Sequence, residues 1–221
     1  MVTARQRVKT GVLVSGSGTN LQALMDAASD PDFPAEIKLV VSNKPGVKSL
    51  ERAAGAGVEA KVIDHTEFDD RSAFERSLDT EFRAAGCEIV CLAGFMRILT
   101  DDFVGEWSGR LLNIHPSLLP AFPGLNTHSR ALKAGVRVAG CTVHLVSAKL
   151  DAGPILIQAV VPVHQDDTPD SLAARVLVQE HLIYPKALAW LATKRVSVEH
   201  GRAMIQGSDH QLYVMMSPGN S

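Results

Sequence analysis

Short runs of apolar residues alternate with helix-length stretches along most of this chain. Val8 to Val14 has the pattern of a strand, Ser15 to Asn20 reads as a loop, and Leu21 to Ala28 as a helix. Ile37 to Ser42 repeats the strand pattern, followed by a Pro45-Gly46 turn and a helix through Ala54. Val58 to Ile63 is a third, short strand. Phe74, Leu78 and Phe82 recur at helical spacing within Phe68 to Ala85. Ile89 to Leu92 and Leu111 to His115 are further strands. This alternation predicts a doubly wound α/β fold, with a mostly parallel sheet covered by helices on both faces.

The later pattern differs. Gly140 to Ser147 and Pro154 to Val163 predict two longer strands joined through the Asp151-Ala152-Gly153 turn region, an antiparallel addition that makes the sheet mixed. Thr168 and Pro169 have the character of an N-cap and a first-turn proline. They open a helix from Asp170 to about Ala192, which Pro185 is expected to kink. A small hairpin around Gly207-Ser208 is expected between Val196 and Val214, with a frayed end from Ser217 to Ser221. With no internal repeat, linker or low-complexity segment, a single domain over residues 1–221 is the simplest organisation.

Composition narrows the classes. Apolar residues at 46% and charged residues at 21% match ordinary globular usage, and 221 residues suffice for a sizeable core without staples. A net charge of −2 gives no electrostatic footprint for nucleic acid, so a phosphate would have to be recognised locally. The N-terminal stretch lacks a signal-type apolar run, and Val12-Leu13-Val14 is too short to span a bilayer. The expectation is a soluble cytoplasmic protein without a membrane partner. Cys87, Cys91 and Cys141 form no C-x-x-C pair, which points to buried core thiols and neither a disulfide framework nor a metal site.

Two segments carry candidate chemistry. Ser15-Gly16-Ser17-Gly18-Thr19-Asn20 joins a strand to a helix, where glycines let the backbone approach an anion and the helix start offers free N–H groups. Leu21 stands where a dinucleotide fingerprint needs its third glycine, Ser42-Asn43-Lys44 supplies no acid for a ribose, and no Gly-Lys-Ser/Thr follows. The loop suits a single phosphate ester, or else is a tight turn capped by Thr19 or Asn20. In the second segment, Asn113 and His115 share one face of a strand that Pro116 ends, at the carboxyl edge where open α/β sheets bind ligands. An amide there can donate to an oxyanion, and an imidazole can act as general acid. A neighbouring carboxylate would favour the protonated ring; Asp151 is the candidate, although turns commonly contain aspartate for structural reasons alone.

Taken together, VLVSGSGTNLQAL, VSNKPG, VCLAGFMRILT, RLLNIHPSLLPAFPGLNTH, TVHLVSAKLDAGPILIQ and RVLVQEHLIYP resemble the folate-dependent formyltransferases, and within them the phosphoribosylglycinamide branch, in order from about residue 8 to residue 190. The resemblance implies formyl transfer from 10-formyltetrahydrofolate to glycinamide ribonucleotide, both small molecules. It implies a phosphate-binding half over about residues 1–100 and a folate-binding, catalytic half over about 101–221. Asn113, His115 and Asp151 match the catalytic trio; Gly18, Thr19 and Asn20 match the phosphate loop, and Glu180 a substrate contact. Met96, Arg97, Ile98 and Leu99, with Arg71 and Asn113, match folate-binding positions, and Thr142 stands near a position that supports active-site water. Asn126 replaces a histidine that many such proteins carry.

Each assignment has a plainer counterpart. Arg71 could be a surface charge, Glu180 a partner for a base on its own helix, and Met96, Ile98 and Leu99 core residues. A transferase acting on initiator tRNA would need a further nucleic-acid-binding domain, and a formyltetrahydrofolate hydrolase typically carries an N-terminal regulatory domain. A non-catalytic phosphometabolite-binding module on the same fold is the reading from another class. A homodimer is compatible with the sequence, although no segment marks an interface.

Overall fold

A computed structural model describes residues 6–207 and residue 217. Seven strands form the main sheet: β1 (Val8–Val14), β2 (Ala35–Ser42), β3 (Glu59–Val62), β4 (Ile89–Leu92), β5 (Leu111–His115), β6 (Val138–Leu145) and β7 (Ile155–Pro162). Their order is β3-β2-β1-β4-β5-β6-β7. The pairs from β3 to β5 are parallel, whereas β5 with β6 and β6 with β7 are antiparallel. The expected mixed, doubly wound sheet is therefore present. Its strand order reverses between β1 and β4, and in such sheets ligands bind at the carboxyl edge beside that switch point.

Strand alternation separates two apolar layers. Val12, Val14, Cys91, Leu112 and Ile114 pack against α1 (Thr19–Ala28) and α6 (Pro169–Ala192), where Leu21, Leu24, Leu172, Val176 and Leu188 are buried. On the other side Leu13, Val90, Leu92 and Leu111 meet α3 (Arg71–Ala84) and α4 (Asp101–Glu106), through Phe74, Leu78, Phe82 and Phe103. Helices α2 (Lys48–Gly55) and α5 (Thr127–Lys133) are the other α-helices among the described residues. Cys87, Cys91 and Cys141 are free and buried. Burial pushes the Cys87 thiol to about 11 and those of Cys91 and Cys141 to about 12, which keeps them protonated and inert.

Several boundaries depart from the sequence reading. The helix expected from Phe68 begins only at Arg71, after a 3₁₀ turn at His65–Glu67, because Asp70 caps it by accepting from Ala73 N. Helices α4 and α5 had no counterpart in the sequence reading. The C-terminal hairpin comprises β8 (Val196–Glu199) and β9 (Arg202–Ile205). Its reversal is at His200-Gly201, both with positive φ, so the turn stands earlier than the Gly207-Ser208 expected; Ser208 to Val214 lie outside the described residues. The expected frayed segment also lies outside them, apart from Ser217.

Helix α6 opens with a capping box between Thr168 and Ser171 and continues past Pro185 to Ala192. The Tyr184 hydroxyl, fully buried, donates towards Leu92 O at 2.9 Å and Leu112 O at 3.3 Å, tying this helix to β4 and β5. No helix among the described residues is long and apolar enough to cross a membrane.

Candidate active site

Because β1, β4 and β5 are parallel, the loops leaving them open on one edge of the sheet. A cavity of about 390 Å³ lies there, lined by Phe95 to Leu99, by Asn113 to Pro116, by Gly124 to Thr127, and by His144 and Asp151. A smaller pocket of about 150 Å³ is formed by Ser15 to Asn20 with Ala93, Gly94 and Met96. Gly94 and Met96 line both, so the two spaces adjoin.

The trio expected from the sequence converges on the larger cavity. Asn113 and His115 point to the face opposite Leu112 and Ile114, as alternation requires, and β6 sets His144 directly across from Asn113. His144 Nδ1 lies 2.9 Å from Leu145 O, a group that only accepts, so that nitrogen carries the proton. Its Nε2 is then free to accept from Asn113 Nδ2 at 3.1 Å, which fixes the amide's orientation and leaves a second N–H available. Burial lowers the His144 pKa, against the opposing pull of the Leu145 carbonyl and of Asp151, in keeping with a neutral ring.

His115 is buried, with Nε2 3.1 Å from Phe122 O and Nδ1 3.5 Å from Asp151 Oδ2. Phe122 O only accepts, so Nε2 carries a proton, while Nδ1 faces the Asp151 carboxylate at ion-pair distance. Asp151 is itself held: its Oδ2 accepts from Gly124 N at 2.8 Å, and its backbone adopts φ +51°. The turn reading and the catalytic reading of this residue thus meet in one side chain. An amide donor, an imidazole and a buried carboxylate face one cavity, a set suited to stabilising an oxyanion and moving a proton.

The Met96 to Leu99 segment forms another wall. Neither the N–H nor the C=O of Arg97, Ile98 or Leu99 joins a backbone–backbone hydrogen bond. Met96 and Ile98 are 66% and 57% exposed and line the cavity, which rules out the plain core reading for them; Leu99, at 9%, does belong to the core. Ser15 Oγ holds the segment's start by accepting from Met96 N at 3.0 Å while donating to Asn43 Oδ1 at 2.6 Å. Arg71 is exposed at the start of α3 and is not among the residues lining the cavity.

At the smaller pocket, Gly18 takes φ +70° as the N-cap of α1. A side chain there would come within 2.6 Å of Ser49 Cβ and 2.8 Å of Ser49 Cα, so packing against α2 also demands glycine. Asn20 reaches across to α6, its Nδ2 donating to Glu180 Oε2 at 2.6 Å. Burial pushes the Glu180 carboxyl up, opposed by the bond from Asn20. Glu180 therefore bonds to the glycine loop instead of to a base on its own helix. Among the described residues four buried side-chain polar atoms lack a partner, and two of them, Asn20 Oδ1 and Arg97 Nε, belong to residues lining these spaces. Buried polar groups are rarely left unpaired, so such atoms invite a ligand.

Thr142 is fully committed within the protein. Its hydroxyl donates to Ser117 O at 2.7 Å and accepts from Leu119 N at 3.1 Å and Gln158 Nε2 at 2.9 Å. It braces the turn after His115. His144, Glu75 and Ser15 were not singled out from the sequence. His144 stands two residues after Thr142 in an alternating strand, a visible signal whose meaning needed the register with Asn113.

The chain matches the Formyl transferase family over residues 8–188. It is 45% identical over 196 residues to phosphoribosylglycinamide formyltransferase of Escherichia coli K12, a match covering 89% of this chain and 92% of that protein. The trifunctional purine biosynthetic protein adenosine-3 of Gallus gallus is 50% identical over 192 residues, 87% of this chain, and the chain spans about a fifth of its length (19%). Glycinamide ribonucleotide transformylase 1 from Symbiobacterium toebii superposes with a TM-score of 0.88 at 46% identity, covering 90% of this chain and 94% of that one. The chain belongs to the formyl transferase family, among its phosphoribosylglycinamide formyltransferases.

Proposed function

We propose that this chain transfers the formyl group of 10-formyltetrahydrofolate to the primary amine of glycinamide ribonucleotide, in one domain whose N-terminal half holds the phosphate. The observation that carries the reading is the meeting of Asn113, His115 and Asp151 on a cavity that adjoins the glycine-loop pocket. The phosphate lies against Gly18, Thr19 and Asn20 at the start of α1, where unpaired N–H groups favour an anion. Glu180, held by Asn20, contacts the substrate's hydroxyls or amide. The pteridine lies along Met96 to Leu99, between exposed apolar side chains and free backbone groups, with Arg71 at the outer end of the folate.

The amine nitrogen attacks the formyl carbon, forming a C–N bond and a tetrahedral oxyanion. The second N–H of Asn113 donates to that oxygen. Collapse breaks the bond from the formyl carbon to the folate nitrogen, which takes up a proton as the attacking amine gives one up. Protonated His115 is the acid, steadied by Asp151 across 3.5 Å. Following folate absorbance with and without glycinamide ribonucleotide tests the assignment. Product formed only when the ribonucleotide is present supports transfer; formate released in its absence would make the protein a hydrolase, and no turnover would leave a binding module.

A further inference from the structure

Glu75 is a buried carboxylate on α3 that the reaction described above does not use. It is 3% exposed and lies one residue beyond Phe74, which belongs to the apolar layer between α3 and the sheet. Both its oxygens accept from Thr100 N, at 3.0 and 3.1 Å, and Oε2 also accepts a short hydrogen bond from the Thr100 hydroxyl. Thr100 directly follows the Met96 to Leu99 segment and caps α4 by accepting from Phe103 N. The guanidinium of Arg97 lies over the Phe74 ring, 5.8 Å from its centroid. Helix α3 is thus a platform beneath this wall of the cavity.

The placement carries a cost that packing does not explain. Burial pushes the Glu75 carboxyl up, and the Thr100 bonds and the fields of Arg71 and Arg97 only oppose that shift. An apolar side chain would fill the same space without desolvating a charge. What the carboxylate adds is a fixed polar anchor where the segment ends, opposite the Ser15 anchor at its start. Between the two anchors, Arg97, Ile98 and Leu99 make no backbone–backbone bond, so their free groups depend on the ends for position. A ligand read by backbone groups loses affinity when they must be ordered on binding.

We infer that Glu75 is a positioning residue for the reduced folate: through Thr100 it presets the Met96 to Leu99 wall against which the pteridine lies. The inference rests on the function proposed above. Glu75→Leu removes both acceptors at similar volume, Glu75→Gln keeps one acceptor oxygen, and Glu75→Asp keeps the charge one methylene short. The test measures KM for each substrate and kcat at saturation, with tetrahydrofolate titrated directly as the ligand bearing the same ring. For Glu75→Leu, KM for 10-formyltetrahydrofolate and Kd for tetrahydrofolate should rise about 10- to 100-fold, the range expected for lost hydrogen bonds to a charge. The ribonucleotide KM and kcat should stay within about threefold, with Glu75→Gln falling between parent and Glu75→Leu. If Glu75→Leu does not fold, Glu75→Gln and Glu75→Asp carry the same comparison. Equal rises in both KM values, a loss confined to kcat, or a folate KM unmoved in every soluble variant would overturn the positioning role. Failure of the parent to form product would instead overturn the functional reading.

Discussion

The loop after β1 and the wall made by β5 and β6 stand at one edge of the sheet and are built in opposite ways. The loop follows a parallel strand, and its character comes from the backbone: a positive φ at Gly18, close approach to α2, and a helix start. In the wall, antiparallel pairing puts Asn113 opposite His144 and His115 opposite Thr142, so side chains from two strands address each other directly. A parallel strand must leave the sheet to reach a helix, and it offers its ligand a turn. Two strands running in opposite directions offer a lattice of side chains with fixed neighbours. Holding a phosphate suits the first construction and moving a proton suits the second.

Asp151→Asn is the most severe challenge to the wall. Asn accepts the positive φ at this position and can still accept from Gly124 N, so the turn should survive. Both substrates should bind as in the parent while turnover falls by about 10²–10⁴. Steady-state rates paired with titrations of each ligand check this. Activity within about threefold of the parent would leave Asp151 with only its turn.

The loop is challenged by Gly18→Val. A β-branched residue forced into the left-handed region and against Ser49 should destabilise the fold by roughly 2–5 kcal/mol, combining the backbone and overpacking costs. Thermal unfolding should show this, and calorimetry should show weaker binding of the ribonucleotide than of the folate. Gly16→Ala sharpens the contrast. Nothing lies within 4 Å of a Cβ there and its φ is not positive, so stability should change by no more than about 0.5 kcal/mol. A large loss of stability in Gly16→Ala would mean that the loop's glycines are not distinguished by packing.

Thr142→Val tests how firmly the wall is braced. The shape is kept, but Ser117 O loses its donor and Leu119 N its acceptor, so unfolding in urea should reveal a loss of about 1–3 kcal/mol. Glu180→Gln should act on the fold with the opposite sign. A carboxyl whose pKa is raised on folding stabilises fully below its unfolded value, and that contribution is lost as pH rises through the folded value. Gln keeps an acceptor for Asn20 without a charge to bury. Its melting temperature should exceed the parent's at about pH 8, the gap closing on acidification, while binding of the ribonucleotide weakens. A lower melting temperature at every pH would show that the buried charge stabilises the fold.

Much of the site was legible because its signals are local. Asn113 and His115 announce themselves by a two-residue alternation ended by proline, and the glycine loop by its place between strand and helix. Glu75 and His144 enter the candidate site only through partners far along the chain, Thr100 and Asn113, which spacing does not reveal. Helix α4 covers six residues and includes a glycine, too short to show a period, and α5 covers seven. The last hairpin turned on His200-Gly201 because each takes a positive φ, a conformation that histidine signals weakly beside asparagine.

Tyr184 gives the long helix an origin from which its other positions are counted. The helix runs 24 residues, about 36 Å at 1.5 Å per residue. Sliding it by a single residue would turn it about 100° and carry Glu180 away from Asn20 altogether. A hydroxyl seated on the carbonyls of Leu92 and Leu112 prevents that slip, one turn from the carboxylate it governs. The helix is in this sense a gauge rod zeroed inside the sheet. A graft or chimera that exchanges α6 has to carry Tyr184 with Glu180 as one five-residue unit, because separating them would leave the rod in place and its scale unread.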